Sequence, residues 1–317
     1  MTRRIARASI GLLTLSTLLI GACDGFSFTF SFILPRSATA TETTTYTLPD
    51  GANIVVTNDN GSTRVTVDPA VTQATVEVRR TALVREQADA DALLPKIVVT
   101  VTEPTMDANT LTISAPRPPE ATDDSENFEV VVDDDEISVT TITEEAMVSV
   151  VNLRITVPPG HAVDVTHGNG SVRAVTLDTP SVLRIETGSI RSIGAGTHLT
   201  TRTGTGSVFI EGHDGGLDTM IGTGPLNADF ADLDASEEVL VRIEVGSIEL
   251  RLPDDVDADL SALTEVGDIY FSKFDFDDTN NLSQSHNGPG EFLTVTLNDG
   301  GASIDLRTET GGIDISD

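Results

Sequence analysis

The sequence predicts an all-β protein built as a β-solenoid, in which one chain winds into stacked parallel β-coils. Six glycines recur at nearly even intervals in the second half of the chain. The side chains two and four residues after each glycine are mostly apolar, and the residue between them is mostly polar, as in a strand with one buried face. These glycines are Gly170, Gly188, Gly206, Gly224, Gly246 and Gly267.

A nearly fixed step of this length is typical of units that bury their apolar face by stacking on copies of themselves. Because glycine takes positive φ angles freely, each of these glycines is predicted to form a corner between two strands of a coil. A β-sandwich of hairpins is the alternative fold, but hairpins give no reason for a register that recurs at a fixed step. The lack of tryptophan and the 4% aromatic content also favour a narrow interior.

Residues 1–22 have the pattern of a bacterial signal peptide. Arg3, Arg4 and Arg7 precede an apolar stretch that is too short to span a bilayer. The following Ile-Gly-Ala-Cys, which ends at Cys23, resembles a bacterial lipobox, and this resemblance implies that the Cys23 thiol carries a lipid. Two or more acyl chains make a stable membrane anchor. An ordinary secretory signal with a chance cysteine is the alternative interpretation.

Residues 23–45 are predicted to be the lipid anchor and its tether. Phenylalanines alternate with small polar residues from Phe26 to Phe32, which indicates a strand that pairs with the domain or lies against the membrane interface. The stretch Ser37–Thr45 is the predicted linker. The β-solenoid domain then covers residues 46–317.

The first part of that domain is predicted to contain one short helix near residues 83–94. The segment LVREQADADALL has the only helical pattern there, and Pro95 would end it. Short strands surround this helix, and Asn58–Gly61 is predicted to be a turn between two of them. Residues 116–147 form a proline-led, acid-rich insertion with a solvated face.

The second half of the chain also carries a family resemblance. It contains a strand that ends in Val-Pro (VNLRITVPPG), repeated Thr-Gly-Ser-Ile and Thr-Gly-Ser-Val units, and the later segment LRLPDDVDADLSALTEVGDIYF. Together these segments resemble a family of bacterial cell-surface β-solenoid lipoproteins described as putative adhesins. The resemblance spans roughly residues 46–317 and is strongest over 151–272. It implies a location in the cell envelope and a role in binding, and it carries over no catalytic residue.

The chain is strongly acidic, with 50 Asp and Glu residues against 19 Lys and Arg residues and a net charge of −31. Such a surface repels nucleic acid and anionic lipid headgroups, so we expect neither as a partner. The acids either keep the chain soluble or bind divalent cations. Asp133, Asp134 and Asp135 are the predicted site of weak calcium binding, because clustered hard oxygen ligands suit Ca²⁺. No other cofactor is expected.

Three arginines form a second candidate site. Arg184, Arg202 and Arg242 each stand four residues before a repeated glycine. Stacked coils would place them on one face, where a row of guanidinium groups could recognise an anionic glycan or a phosphate. Glu186 and Glu244 stand two residues further on and point the same way, so charge balance is the alternative interpretation.

The five histidines give little sign of catalysis. None lies in an HExxH motif, and His167 and His213 sit in glycine-rich segments that are predicted to be equivalent turns. We therefore expect a non-enzyme: a lipid-anchored, extracytoplasmic binding or scaffolding protein, adhesin-like, that meets a glycan or an envelope protein. A polysaccharide lyase or hydrolase on the same scaffold is one alternative. An envelope structural or stress-sensing subunit with a protein partner is the other.

Overall fold

The described part of the chain is all-β with one short α-helix, as the sequence predicts. The computed structural model describes residues 36–84, 86–105, 108–119, 130–133, 136–139, 147–272 and 279–317. Within these residues, the strands form one large, mostly parallel sheet and one separate two-stranded hairpin.

The first part of the chain contributes strands β1–β8 and helix α1. A short 3-10 helix, Leu94–Lys96, follows α1 directly. The elements are Arg36–Tyr46 (β1), Asn53–Val67 (β2), Ala74–Val84 (β3), Gln87–Leu93 (α1), Thr100–Thr102 (β4), Thr110–Ala115 (β5), Val130–Asp133 (β6), Glu136–Val139 (β7) and Val148–Val157 (β8).

The described residues of the second part of the chain contribute strands without any helix. They are Val163–Val175 (β9), Ser181–Ile193 (β10), Leu199–Thr205 (β11), Val208–Asp214 (β12), Leu217–Thr223 (β13), Leu226–Asp232 (β14), Glu238–Val245 (β15), Ile248–Arg251 (β16), Ala258–Val266 (β17), Ile269–Ser272 (β18), Thr279–Asn287 (β19), Gly290–Leu297 (β20), Ala302–Thr310 (β21) and Ile313–Ser316 (β22).

The parallel part of the sheet repeats a two-armed unit. The first arm precedes a glycine and comprises β11, β13, β15, β17, β21 and the leading halves of β9 and β10. The second arm follows the glycine and comprises β12, β14, β16, β18, β22 and the trailing halves of β9 and β10. From β9 to β14 the residues that pair in parallel are 18 positions apart, except at the end of β12, where His213 pairs with Phe230.

Side chains alternate between the core and the outer face along each arm. Val172, Ile190 and Val208 lie in one row across the second arm and are all buried. Because parallel strands in register place like residues beside each other, these rows join into one continuous apolar core.

The glycines that separate the arms stack directly on one another. Gly206 has a φ angle of 141°, in a region that residues with a side chain rarely occupy. A Cβ atom at this position would overlap the backbone carbonyl oxygen of Gly188 in the neighbouring unit. Only glycine allows the backbones to approach this closely.

Strand β2 joins the parallel ladder from far away in the sequence. Gly61 pairs with Gly170, so β2 lies beside β9 as one further unit with both arms. On the other side of β2, the first arm pairs with β5 and the second arm pairs with β8. Strand β8 continues antiparallel into β3 and then β1, while β5 pairs antiparallel with β4.

The last two strands of the chain lie inside the stack and not at its end. Strand β21 pairs with both β15 and β17, and β22 pairs with both β16 and β18. Gly311 therefore lies between Gly246 and Gly267, which are neighbours in the sequence repeat but not in the stack. Beyond β17 the first arm ends in the antiparallel strands β20 and β19.

Three local predictions are corrected by the structure. The predicted turn Asn58–Gly61 is part of the continuous strand β2, because Gly61 occupies the glycine column. Helix α1 begins at Gln87 and not near residue 83, because Leu83 and Val84 are buried in strand β3. The predicted linker Ser37–Thr45 is strand β1, which pairs with β3 along its whole length.

Candidate functional site

The three arginines singled out in the sequence lie in one row on the outer face of the first arm. Arg184 pairs with Arg202, and Met220 separates Arg202 from Arg242. Arg307 extends the row on the far side of Arg242. We call these four arginines the first row. Sequence reasoning missed Arg307 because its strand, β21, takes a place in the sheet that its position in the chain does not reveal.

Carboxylates lie beside the first row. Arg184 Nη1 is 2.7 Å from Asp164 Oδ1, and Arg307 donates two hydrogen bonds of 2.9 Å to the carboxylate of Asp305. Those hydrogen bonds raise the pKa of the Arg307 guanidinium above its usual value. Glu186 and Glu244 stand two residues after Arg184 and Arg242 on the same arm. The first row is therefore part of a mixed-charge surface.

The second arm carries a row of arginines that the sequence analysis did not single out. Arg154 on β8 pairs with Arg64 on β2, Arg64 pairs with Arg173 on β9, and Arg173 pairs with Arg191 on β10. Each of them stands between two buried neighbours, so its side chain faces outward. We call these four arginines the second row. With adjacent strands about 4.8 Å apart, it extends over roughly 14 Å.

Neutral residues flank the second row on both sides. On the glycine side stand short polar residues, and Asn152 Oδ1 accepts hydrogen bonds from the Ser62 backbone N–H at 3.1 Å and the Ser62 hydroxyl at 3.0 Å. On the other side stand Thr or aliphatic residues. The flanking residues are Asn152, Ser62, Ser171 and Ser189 on the first side and Thr156, Thr66, Val175 and Ile193 on the second.

Acidic residues lie beside the two end members of the second row, Arg154 and Arg191. Glu77 on β3 lies opposite Arg154, and Glu211 Oε1 is 2.6 Å from Arg191 Nη2. Arg154 and Arg173 take part in further interactions, and β6 packs against β9. The second row is therefore a short cationic strip bounded by carboxylates on a strongly acidic protein.

A sequence signal for most of the second row exists. Three of its arginines end a Gly-Ser-x-Arg segment in which x is Thr, Val or Ile. The segments are Gly61–Arg64, Gly170–Arg173 and Gly188–Arg191. The first segment lies far from the other two in the chain, so the repeat step alone does not connect them.

Three of the histidines are buried and face the interior. Desolvation lowers the pKa of His167 to about 4, and neither ring nitrogen has a hydrogen-bond partner among the described residues. Desolvation also lowers the pKa of His213, whose Nε2 is 3.0 Å from the Gly216 carbonyl oxygen and whose ring packs edge-on against Phe230. His161 Nδ1 is 2.9 Å from the Ala52 carbonyl oxygen.

His167 and His213 are not equivalent, contrary to the expectation from sequence. His167 pairs with Asn58 and Ile185 in a buried row of the first arm. His213 lies at the end of the second arm, where the register between β12 and β14 shifts.

The predicted calcium and lipid sites are described only in part. Asp133 is the last residue of β6. Asp134, Asp135 and Cys23 lie outside the described residues. In the part of the chain that the structure describes, no group of three or more His, Cys, Asp or Glu side chains could hold a metal ion. No helix among those residues is long and apolar enough to cross a membrane.

Comparisons with known proteins give only distant likenesses. No protein-family model matches the sequence, and neither does any curated protein. One similar solved structure is a "putative cell adhesion protein" from Clostridium sporogenes, with 11% identity, a TM-score of 0.33 and coverage of 89% of this chain and 99% of that chain. Another is a "putative adhesin" from Bacteroides fragilis, with 11% identity, a TM-score of 0.30 and coverage of 87% and 96%. Likeness at this level assigns neither a family nor a function to the chain.

Proposed function

We propose that this protein is a lipid-anchored, extracytoplasmic binding or scaffolding protein, adhesin-like and without catalysis. The observation that carries the proposal is the regular outer face of the parallel ladder. Its strands present like side chains in straight rows at one strand spacing, as in the pairing of Arg184 with Arg202 and of Arg64 with Arg173. A rigid, repetitive face of this kind suits a ligand that is itself extended and repetitive.

The β-solenoid is the architecture that we propose for this ladder. Two observations support it: the pairing of residues 18 positions apart, and the column of stacked glycines with positive φ angles between the arms. In this interpretation each glycine is the corner of one coil, and the coils form a single stiff body.

Attachment through Cys23 would hold this body close to the membrane. Strand β1 begins at Arg36, so only residues 24–35 separate it from the proposed lipid site. Even fully extended, these residues reach about 45 Å. The predicted signal peptide, residues 1–22, would be removed before lipidation is complete.

Three of the histidines are out of reach of any ligand on the outer face. A general acid or base must reach its substrate within hydrogen-bond distance. His161, His167 and His213 are 6%, 1% and 0% exposed, so none of these side chains faces a ligand on the outer surface.

A retention experiment tests the proposed function. The full-length chain, purified in a mild detergent and immobilised, would be mixed with neutral polysaccharides, uronate-containing polysaccharides and peptidoglycan, each with and without calcium. We expect at least one polymer to be retained without any new chain ends, and dependence on calcium would support the site at Asp133–Asp135. New chain ends would instead identify a lyase or hydrolase. Retention of none would contradict the proposal and favour an envelope subunit with a protein partner.

A further inference from the structure

Strand β1 leaves one edge of the sheet open. Among the described strands it pairs only with β3, along all 11 residues of Arg36–Tyr46. One side-chain hydrogen bond reaches its backbone near the start, from Gln87 Nε2 to the Ser37 carbonyl oxygen at 3.4 Å. The backbone N–H and C=O groups along the free edge of a strand pair readily with another extended segment. An edge strand of this length is therefore a docking site for one more strand.

Apolar side chains border one face of this edge. Ala38 is buried, and Tyr46 packs against the core while only partly buried itself. The 3-10 helix after α1 contacts β1 and carries Leu94, which is also only partly buried. Just beyond this helix Val98 is 55% exposed. The described residues therefore leave the core incompletely covered beside β1.

The chain carries a suitable segment directly before β1. From Phe26 to Phe32 four phenylalanines alternate with small polar residues, and this stretch lies outside the described residues. We propose that residues 26–32 dock as one further antiparallel strand on the free edge of β1. Alternate side chains of a strand share one face, so all four phenyl rings would lie together over the incompletely covered end of the core.

A short connection determines which side chains meet. If residues 33–35 form the loop, as in a three-residue hairpin, Phe30 lies beside Ala38 and Phe28 beside Ala40. Both alanines are small, so large neighbouring rings have room on this face. The docked segment would run alongside the first seven residues of β1.

Two other arrangements are less favourable. An extended segment in the apolar part of a membrane would leave its backbone N–H and C=O groups unpaired, whereas β1 supplies partners for them. A second copy of this chain on the same edge would bring a net charge of −31 against an equal charge. The segment before β1 meets no such repulsion between copies, and its short connection keeps its local concentration high.

The docked strand would also determine how the protein sits on the membrane. With residues 26–32 paired, only Asp24 and Gly25 separate that strand from the proposed lipid site at Cys23. Such a short link reaches about 10 Å. The end of the sheet that carries β1 would then lie close to the bilayer. This consequence rests on the proposed lipid attachment, whereas the docking itself does not, so failure of the retention experiment would leave it standing.

The test uses the absence of tryptophan from the chain. Phe28→Trp places a single tryptophan on the docked face, and the matched control Thr29→Trp places it on the opposite face of the same strand. Full-length chains with either substitution would be reconstituted into phosphatidylcholine vesicles and exposed to acrylamide or to brominated lipid. We expect acrylamide to quench Phe28→Trp about threefold more weakly than Thr29→Trp, because only the first ring is covered. Brominated lipid should quench both only weakly.

A carboxylate on β1 tests where the segment docks. In the Phe28→Trp chain, Ala40→Asp should expose the indole to acrylamide, whereas Thr45→Asp, further along the same strand, should not. Circular dichroism would check folding, and Phe30→Asp on the segment itself replaces Ala40→Asp if that variant is unfolded.

Four results would overturn the inference. Equal acrylamide quenching of Phe28→Trp and Thr29→Trp would mean that neither face is covered. Strong quenching by brominated lipid would place the segment in the membrane. Protection that persists in Ala40→Asp, with the variant folded, would place it elsewhere on the protein. A dimer that Ala40→Asp dissociates, with the indole exposed throughout, would assign the edge of β1 to a second copy.

Discussion

The two arginine rows lie on the two arms of one parallel ladder and differ in what stands beside them. In the first row, Arg184 pairs with Asp164 on the neighbouring strand. Arg307 pairs with Asp305, which stands two residues before it on the same strand. In the second row the residues on both sides of Arg64 and Arg173 are neutral. Repetition of an arginine at the same place in each unit therefore does not by itself make a binding site. Neutral flanking residues do not leave the second row without partners either, since Arg191 Nη2 is 2.6 Å from Glu211 Oε1.

The largest expected effect comes from breaking the register on which both rows depend. Gly206→Val would place a β-branched side chain at a φ angle of 141° and against the Gly188 carbonyl oxygen. We expect the free energy of unfolding to fall by roughly 4 kcal/mol or more, since backbone strain and a steric overlap add together. Urea denaturation followed by circular dichroism would measure it, because the chain has no tryptophan for fluorescence.

Gly196→Val is the matched control for that substitution. Gly196 has an ordinary φ angle, and a Cβ atom there would meet no atom within 4 Å. Its effect should stay within about 1 kcal/mol. Similar losses for the two variants would show that the glycine column does not hold the units in register.

The second effect concerns His167 on strand β9. This strand carries Arg173 of the second row, and Thr166 occupies the position of the first row on it. His167 on this strand is buried with a pKa of about 4, against 6.5 when exposed. The unfolded chain therefore takes up the proton first. Stability is unaffected above pH 6.5, falls as the pH drops below that value, and has lost up to about 3 kcal/mol near pH 4.

A variant isolates this contribution from the many carboxylates. His167→Ile puts at this position the residue type that Ile185 and Ile221 provide in the same row. Unfolding of both proteins would be measured from about pH 7 down to about pH 4.5, the range in which the two pKa values of His167 differ. We expect the wild type to lose more stability than the variant over this range. Parallel pH profiles would mean that His167 is protonated as readily in the folded chain as in the unfolded one.

The sequence is informative where the repeat is regular and uninformative where the chain leaves it. The fixed step between glycines correctly placed Arg184 and Arg202 side by side, because parallel pairing in register depends only on the length of the unit. It could not place Arg64 beside Arg173, since β3–β8 intervene in the chain. Nor could it place Arg307, because the order of the strands in a sheet is decided by tertiary packing.

The same limit applies to the N-terminal part. Ser37–Thr45 is small, polar and rich in threonine, which predicts a linker as readily as an edge strand. Pairing with β3 decides in favour of the strand. The Gly-Ser-x-Arg segments were visible in the sequence, but only the ladder shows that Arg64 and Arg173 belong to one face.

The smallest expected effect would sharpen the comparison between the rows. Arg184→Ala removes the ion pair with Asp164, whose two side chains are 39% and 43% exposed. Exposed ion pairs contribute little, so the free energy of unfolding should fall by less than about 1 kcal/mol, and less still in high salt. A double-mutant cycle with Asp164→Ala would isolate the coupling between the two side chains. A coupling above about 2 kcal/mol that persists in high salt would contradict this expectation. The ion pair would then contribute substantially to the stability of the fold, which exposed ion pairs do not. A small coupling would leave the first row as charge compensation on the protein surface.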